Sequence, residues 1–190
     1  MSRISSARRD LDGHWPCNEL WDFHLSRMSN DLALVLHQTG KAHAEACCLL
    51  YKASFGQGQT EGADDLFKYA FNGPYSLSIQ YLLGLGLELM LKSAIAAWDS
   101  EVDAEFLRNN VGHDLVVALD QAEQRGFKSQ AAHLRELVEI LRDPYRKHWF
   151  RYERPPQMKL PGDFDQVVAT LTALESELRA KQKPDAPAGD

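Results

Sequence analysis

The stretch from Tyr75 to Trp98, YSLSIQYLLGLGLELMLKSAIAAW, is apolar on nearly every helical face, and no other part of the chain constrains the fold as strongly. It is long enough to cross a bilayer, which takes about 20 residues. Gln80, Glu88 and Lys92 lie inside it, however, and a charge near the centre of a spanning helix costs roughly 2.5–3.5 kcal/mol on insertion scales. A central helix wrapped by other helices, or lying against a second copy of the chain, accommodates the same pattern without that cost. The expectation is therefore a buried central helix, no membrane partner and a homodimer.

The rest of the chain supplies the helices to wrap it. Apolar positions Leu32, Val35, Leu36, Ala42, Ala46, Leu49 and Leu50 follow the candidate caps Ser29, Asn30 and Asp31 at helical spacing, which predicts a first helix over about 31–54. Glycines 56, 58 and 62 then read as a loop, with a helical turn over Asp64–Ala70 stopped at Gly73-Pro74. The central helix is expected from Pro74, as N1 residue, to Trp98. A short segment, Asp103–Arg108, precedes a third helix opened by Gly112-His113-Asp114 and ended by Gly126. Ser129 is read as the cap of a fourth helix that ends near Arg142, and Asp163 with Gln166 as the capping box of a last one running to about Ala180.

No segment alternates with period two, so the fold class is all-α, an antiparallel four- to five-helix bundle over about 30–180. Residues 1–29 form an N-terminal arm carrying Trp15, Trp21 and Phe23, and 181–190 a disordered tail.

Charge narrows the function. The 190 residues carry a formal net charge of −6, which excludes a chain that binds nucleic acid or a membrane surface by bulk electrostatics and requires any anion site to be local. Three cysteines, Cys17, Cys47 and Cys48, without C-x-x-C spacing point to a reducing compartment. No apolar run follows the first arginines, so a cytoplasmic location is expected. Neither His14, Cys17 and His24 nor His43 and Cys47 give four ligands at a standard zinc spacing, and the glycines at 56, 58 and 62 lack a P-loop lysine. No metal or cofactor is expected.

The local exception to the acidic balance is RDPYRKHWFRYERPPQMK, residues 142–159, with six basic residues against two acidic ones. Arg146, Lys147, Arg151, Tyr152 and Arg154 in this run, with Tyr145, Trp149 and Phe150 interleaved, give the mixture of cations and stacking faces that suits RNA or nucleotide phosphates. The plainer alternative is a solvated charged face with the aromatics filling the bundle end. Asp143-Pro144 reads as an N-cap and N1 proline opening a new helical turn, whose N–H groups could hold a phosphate beside Arg142 and His148. Glu88 and Lys92, one turn apart, read as a structural i,i+4 pair or a buried polar contact at the dimer seam.

Three separated signatures resemble the HEPN superfamily, all-helical domains found in toxin–antitoxin, phage-defence and CRISPR-associated ribonucleases. Glu88 to Lys92 is similar to the family's E-x-x-L-K core, Gly112-His113-Asp114-Leu115 to the G-H-D-L that opens its next helix, and Arg142-Asp143-(x4)-His148 to its R-polar-(x3–5)-H motif. The resemblance covers roughly 70–178. It implies a metal-independent endoribonuclease acting as a homodimer, with the Arg142 and His148 pairs of two subunits facing one composite cleft at the dimer interface, His148 moving a proton, Arg142 holding the scissile phosphate and Asp143 orienting both, and an antitoxin or defence protein as a further partner. Pro144 inside the motif and Phe150, where some toxin members carry tyrosine, depart from the family pattern. Lys147 to Tyr152 also resembles a segment of HEPN-like proteins with no established nuclease activity, so a non-catalytic helical dimerisation or interaction module is the alternative function.

Overall fold

A computed structural model describes residues 32–148 and 163–182; the arm, Arg151, Tyr152, Arg154 and positions 183–190 lie outside the described residues. Every regular element among the described residues is helical. In chain order these are α1 (Leu32–Glu61), α2 (Leu66–Asn72), α3 (Ser76–Trp98), the single turn α4 (Ala104–Phe106) running into a π-helical turn (Leu107–Val111), α5 (Leu115–Gln124), α6 (Leu134–Arg146) and α7 (Phe164–Gln182). Five of them span ten residues or more.

α3 is the centre. It packs against α1, α2, α5, α6 and α7. Ile79, Leu83, Leu87, Leu91, Ala94 and Ile95 along it are fully buried. It is long and apolar enough to cross a membrane, yet 72% of its most apolar window is covered by the other helices. That coverage explains why its sequence lacks a polar face: each turn faces another helix.

Glycine sets how closely α1 approaches. A Cβ on Gly86 would come within 3.0 Å of the Ala44 nitrogen and 3.1 Å of the Gly40 carbonyl oxygen, so the two backbones cross almost in contact. The Ala33 carbonyl meets Ser93 at one end of this contact and Ala44 meets Gly86 further along, which makes the pair antiparallel. Pairing of Arg135 with Asp120 and of Arg142 with Asp114 makes α5 and α6 antiparallel as well. The connection over 99–113 doubles back, so that His113 stands beside Glu88 and Arg125 beside Asp99. α5 therefore runs alongside α3 in the same direction.

At the end of the described chain, the Gln182 amide donates to the Ala33 carbonyl at 3.2 Å and to Ser93 Oγ at 3.0 Å, while its oxygen meets His37 Nδ1 at 2.8 Å. The last turn of α7 is thereby fastened to the first turn of α1.

Several boundaries differ from the sequence expectation. α1 continues to Glu61 through the stretch read as a loop, because Gly58 lets the Tyr69 ring pack at a distance where a Cβ would sit only 2.9 Å away; only Gly62, at φ +70°, ends the helix. Packing thus overrides the roughly 1 kcal/mol that a mid-helix glycine costs relative to alanine. α3 begins at Ser76, two residues after Pro74. Ser129 does not cap the fourth helix: it donates to Glu177 at 2.7 Å, and the helix starts later, after His133. The last helix continues past Ala180 to Gln182, while Asp163 does cap its start, accepting from Asp165 N–H at 2.9 Å.

The largest correction concerns Pro144. Helix α6 does not end at Arg142 but carries Pro144 in its interior and runs to Arg146. An interior proline removes one backbone hydrogen bond and costs about 3 kcal/mol in an exposed helix. Here Leu141, Pro144 and Tyr145 are all buried against the bundle, which offsets that cost.

Candidate functional site

The site begins at Glu88, on the buried side of α3 and 3% exposed. A carboxylate in that position needs several donors to remain ionised. Lys92, one turn on, donates to Oε1 at 2.6 Å; the Tyr145 hydroxyl on α6 donates to Oε2 at 2.7 Å; and His113 Nδ1 lies 3.0 Å from Oε2. Burial pushes the Glu88 carboxyl up, but the hydrogen bonds from Lys92, Tyr145 and His113 and the Lys92 charge outweigh it and hold the group below the usual carboxylate range.

Next to it stands a second acid. Asp114 caps α5, its Oδ1 accepting from the Val116 and Val117 N–H groups at 3.1 and 3.2 Å. The same carboxylate grips Arg142 with Nε on Oδ1 at 3.0 Å and Nη2 on Oδ2 at 2.9 Å, a two-pronged pairing that fixes the guanidinium plane. Burial acts to raise the Asp114 carboxyl, and the Arg142 hydrogen bonds, the two N–H groups and the Arg142 charge together bring it below its ordinary value. Arg146 approaches the same acid at 3.9 Å.

Gly112 makes the junction possible. Its φ of +59° and ψ of −131° lie in a region open almost only to glycine, and this kink after the π-helical turn turns the chain so that His113 reaches back to Glu88 while Asp114 starts the next helix. At the other end, His148 follows α6 with φ +57°, its N–H on the Tyr145 carbonyl at 3.1 Å. The His113 and His148 rings then lie edge to face with centroids 6.0 Å apart.

Three sequence-distant signatures therefore meet in one cluster: Glu88 and Lys92, His113 and Asp114, Arg142 and His148. Not every expected role survives. There is no helix N-terminus at Asp143-Pro144, since both lie within α6, so no N–H cradle for an anion exists there. Asp143 takes Lys147 Nζ at 3.0 Å, and the acid that orients Arg142 is Asp114. Tyr145, read as a stacking face, is 4% exposed and serves as a donor to Glu88.

The spacing gave His113 and Asp114 no site role of their own, and Tyr145 only that of a stacking face. The first two were legible as part of G-H-D-L, but nothing in the spacing tells that Tyr145 spans 57 residues to reach Glu88.

The outer part of the cluster is open. The side chain of His113 is 59% exposed and that of Arg142 42%, and Arg142, Arg146 and Lys147 stand towards solvent around Asp114 and Asp143, with the Glu88–Lys92 pair enclosed beneath them. Such a surface can take a phosphate: guanidinium for charge, imidazole for proton movement. A separate cleft of about 510 Å³ lies between α1, α3 and α7 and is lined by Lys41, Lys52, Glu175, Leu49 and Met90 among others. It contains none of the clustered groups. Comparison with known protein families, with curated proteins and with solved structures returns no match to this chain.

Proposed function

We propose that this is a HEPN-like helical protein that binds RNA phosphates at the Arg142–His148 end of α6 and cleaves RNA without a metal ion. The observation that carries the reading is the convergence of Glu88–Lys92, His113–Asp114 and Arg142–His148, stretches far apart in sequence, on one partly open cationic cluster. The first two pairs build a scaffold, and the third is presented by it. Arg142, held flat by Asp114, offers its remaining edge to a phosphate and to the negative charge that grows on it in the transition state. His148 moves a proton at the attacking or departing oxygen. Attack by the ribose 2′-hydroxyl on the adjacent phosphate would leave a 2′,3′-cyclic phosphate. Arg151, Tyr152 and Arg154 follow in sequence and would extend the contact along the strand. A homodimer in a toxin or defence setting belongs to the same reading.

The test is cleavage of a mixed-sequence RNA pool in EDTA by the wild-type protein and by Arg142→Ala and His148→Ala. Cyclic-phosphate ends formed by the wild type and lost in both variants are the expected result. An intact pool at any protein excess sinks it.

The second reading, a non-catalytic module that pairs with itself, draws on the cleft between α1 and α7, where Leu49 is 68% exposed. Under that reading Leu49→Glu lowers the mass measured by light scattering, and His148→Ala changes nothing.

A further inference from the structure

We infer that His113 is a second proton-transfer group of the site, aimed by Glu88 and working with His148 of the same chain on one phosphate; this rests on the ribonuclease reading above. The Glu88 carboxylate only accepts, so the His113 nitrogen 3.0 Å from it, Nδ1, carries the ring proton. In the neutral ring Nε2 is then left with its lone pair, the form a base requires. Glu88 has no freedom to turn away, since Lys92 and Tyr145 hold both of its oxygens. An imidazole that served only to satisfy Glu88 would be expected to lie buried with it. The side chain of His113 is instead 59% exposed, against 4% for Glu88.

The His148 ring centroid is 6.0 Å from that of His113, at an interplanar angle of 67°. Two imidazoles so placed can each reach a different oxygen of one phosphate lying against both, and the Asp114-held guanidinium of Arg142 supplies the charge beside them. The proton of the 2′-hydroxyl passes to His113 Nε2 as the 2′-oxygen bonds to phosphorus. The bond from phosphorus to the 5′-oxygen breaks, and that oxygen takes its proton from His148. The products are a 2′,3′-cyclic phosphate and a 5′-hydroxyl, with no other reactant needed. Glu88 is a positioning residue in this scheme.

The experiment compares wild type, His113→Gln, Glu88→Gln and His148→Ala on the mixed RNA pool across pH 4–9, and follows the histidine ring signals by NMR during titration with inorganic phosphate. Glutamine at 113 retains a donor for Glu88, so the fold is kept and the proton-transfer group alone is removed; far-UV circular dichroism checks this. Expected are a fall in kcat of about 10²-fold or more for His113→Gln, loss of one limb of the pH profile, displacement of that limb in Glu88→Gln, and phosphate-dependent shifts of both rings with a single Kd. Cleavage by His113→Gln within about threefold of wild type, or a His113 signal that phosphate leaves unmoved while that of His148 shifts, overturns the role of His113 and leaves the ribonuclease standing. Wild-type protein that cleaves nothing removes both.

Discussion

The hydroxyl of Tyr145 donates a 2.7 Å hydrogen bond to the carboxylate of Glu88, joining the last turn of α6 to the middle of the buried central helix. Removing it leaves a buried charge one donor short, which costs more than an ordinary hydrogen bond. Tyr145→Phe is therefore expected to lower the free energy of unfolding by about 1.5–3 kcal/mol, measured by urea denaturation. An unchanged midpoint would show that solvent replaces the hydroxyl.

The same contact makes a distant glycine sensitive. A Cβ on Gly84, one turn before Glu88, would overlap the Tyr145 ring. Alanine has the higher helix propensity, so helix preference alone favours Gly84→Ala. The steric conflict dominates, and the variant should lose about 1–3 kcal/mol. Combined with Tyr145→Phe, its cost should fall short of the sum, because both act through the position of one ring.

Acid should loosen the site before it unfolds the bundle. Glu88 and Asp114 are both held below their ordinary carboxylate values. A depressed folded value means that the folded state binds protons less readily than the unfolded one, so the stabilisation is complete above the unfolded values near pH 4 and is lost as pH falls through the folded values. Urea midpoints measured from pH 7 down to 3 should decline, and Glu88→Gln and Asp114→Asn should each flatten that decline. Asp143, exposed beside Lys147, should have little influence on it.

Asp114 performs two tasks that substitution can separate. Asn keeps an oxygen for the Val116 and Val117 N–H groups but loses the charge that holds Arg142; Ala loses both. Asp114→Ala should be less stable than Asp114→Asn by about 1 kcal/mol, the usual worth of a helix cap. Under the proposed function both should lower RNA cleavage to a similar extent, since both release the guanidinium.

Gly112→Ala tests the junction. At φ +59° and ψ −131° the added Cβ strains the backbone by about 1–3 kcal/mol although the nearest heavy atom, Arg108 O, is 3.9 Å away. The loss should appear in unfolding and in the His113 ring signal together. A loss of stability with that signal unmoved would mean that the kink is not what aims His113.

The central helix was legible because its composition admits few alternatives: Glu88 and Lys92 within an apolar run demand both a buried environment and each other. The three polar signatures were legible as patterns, and their meeting in space followed once helices were packed around α3. Pro144 and the glycines of α1 misled for one physical reason. Local rules treat proline and glycine as helix stops, whereas burial of Tyr145 on Glu88 and close packing of the half-covered Tyr69 ring on Gly58 make continuing the helix the better choice. The orienting role of Asp114 was hidden because its most local signal, a helix cap, accounts for only part of its carboxylate.

The hydrogen bond from Gln182 to the Ala33 carbonyl has a topological consequence. The first and last turns of the helical body touch, so the position at which the chain is cut is not dictated by the packing. Linking residue 182 to residue 32 by a few residues and reopening the chain at the turn around Gly62–Asp65 would change the order of the helices in the gene without separating any pair that forms the Glu88 cluster. A chain circularly permuted in this way should therefore fold to the same body.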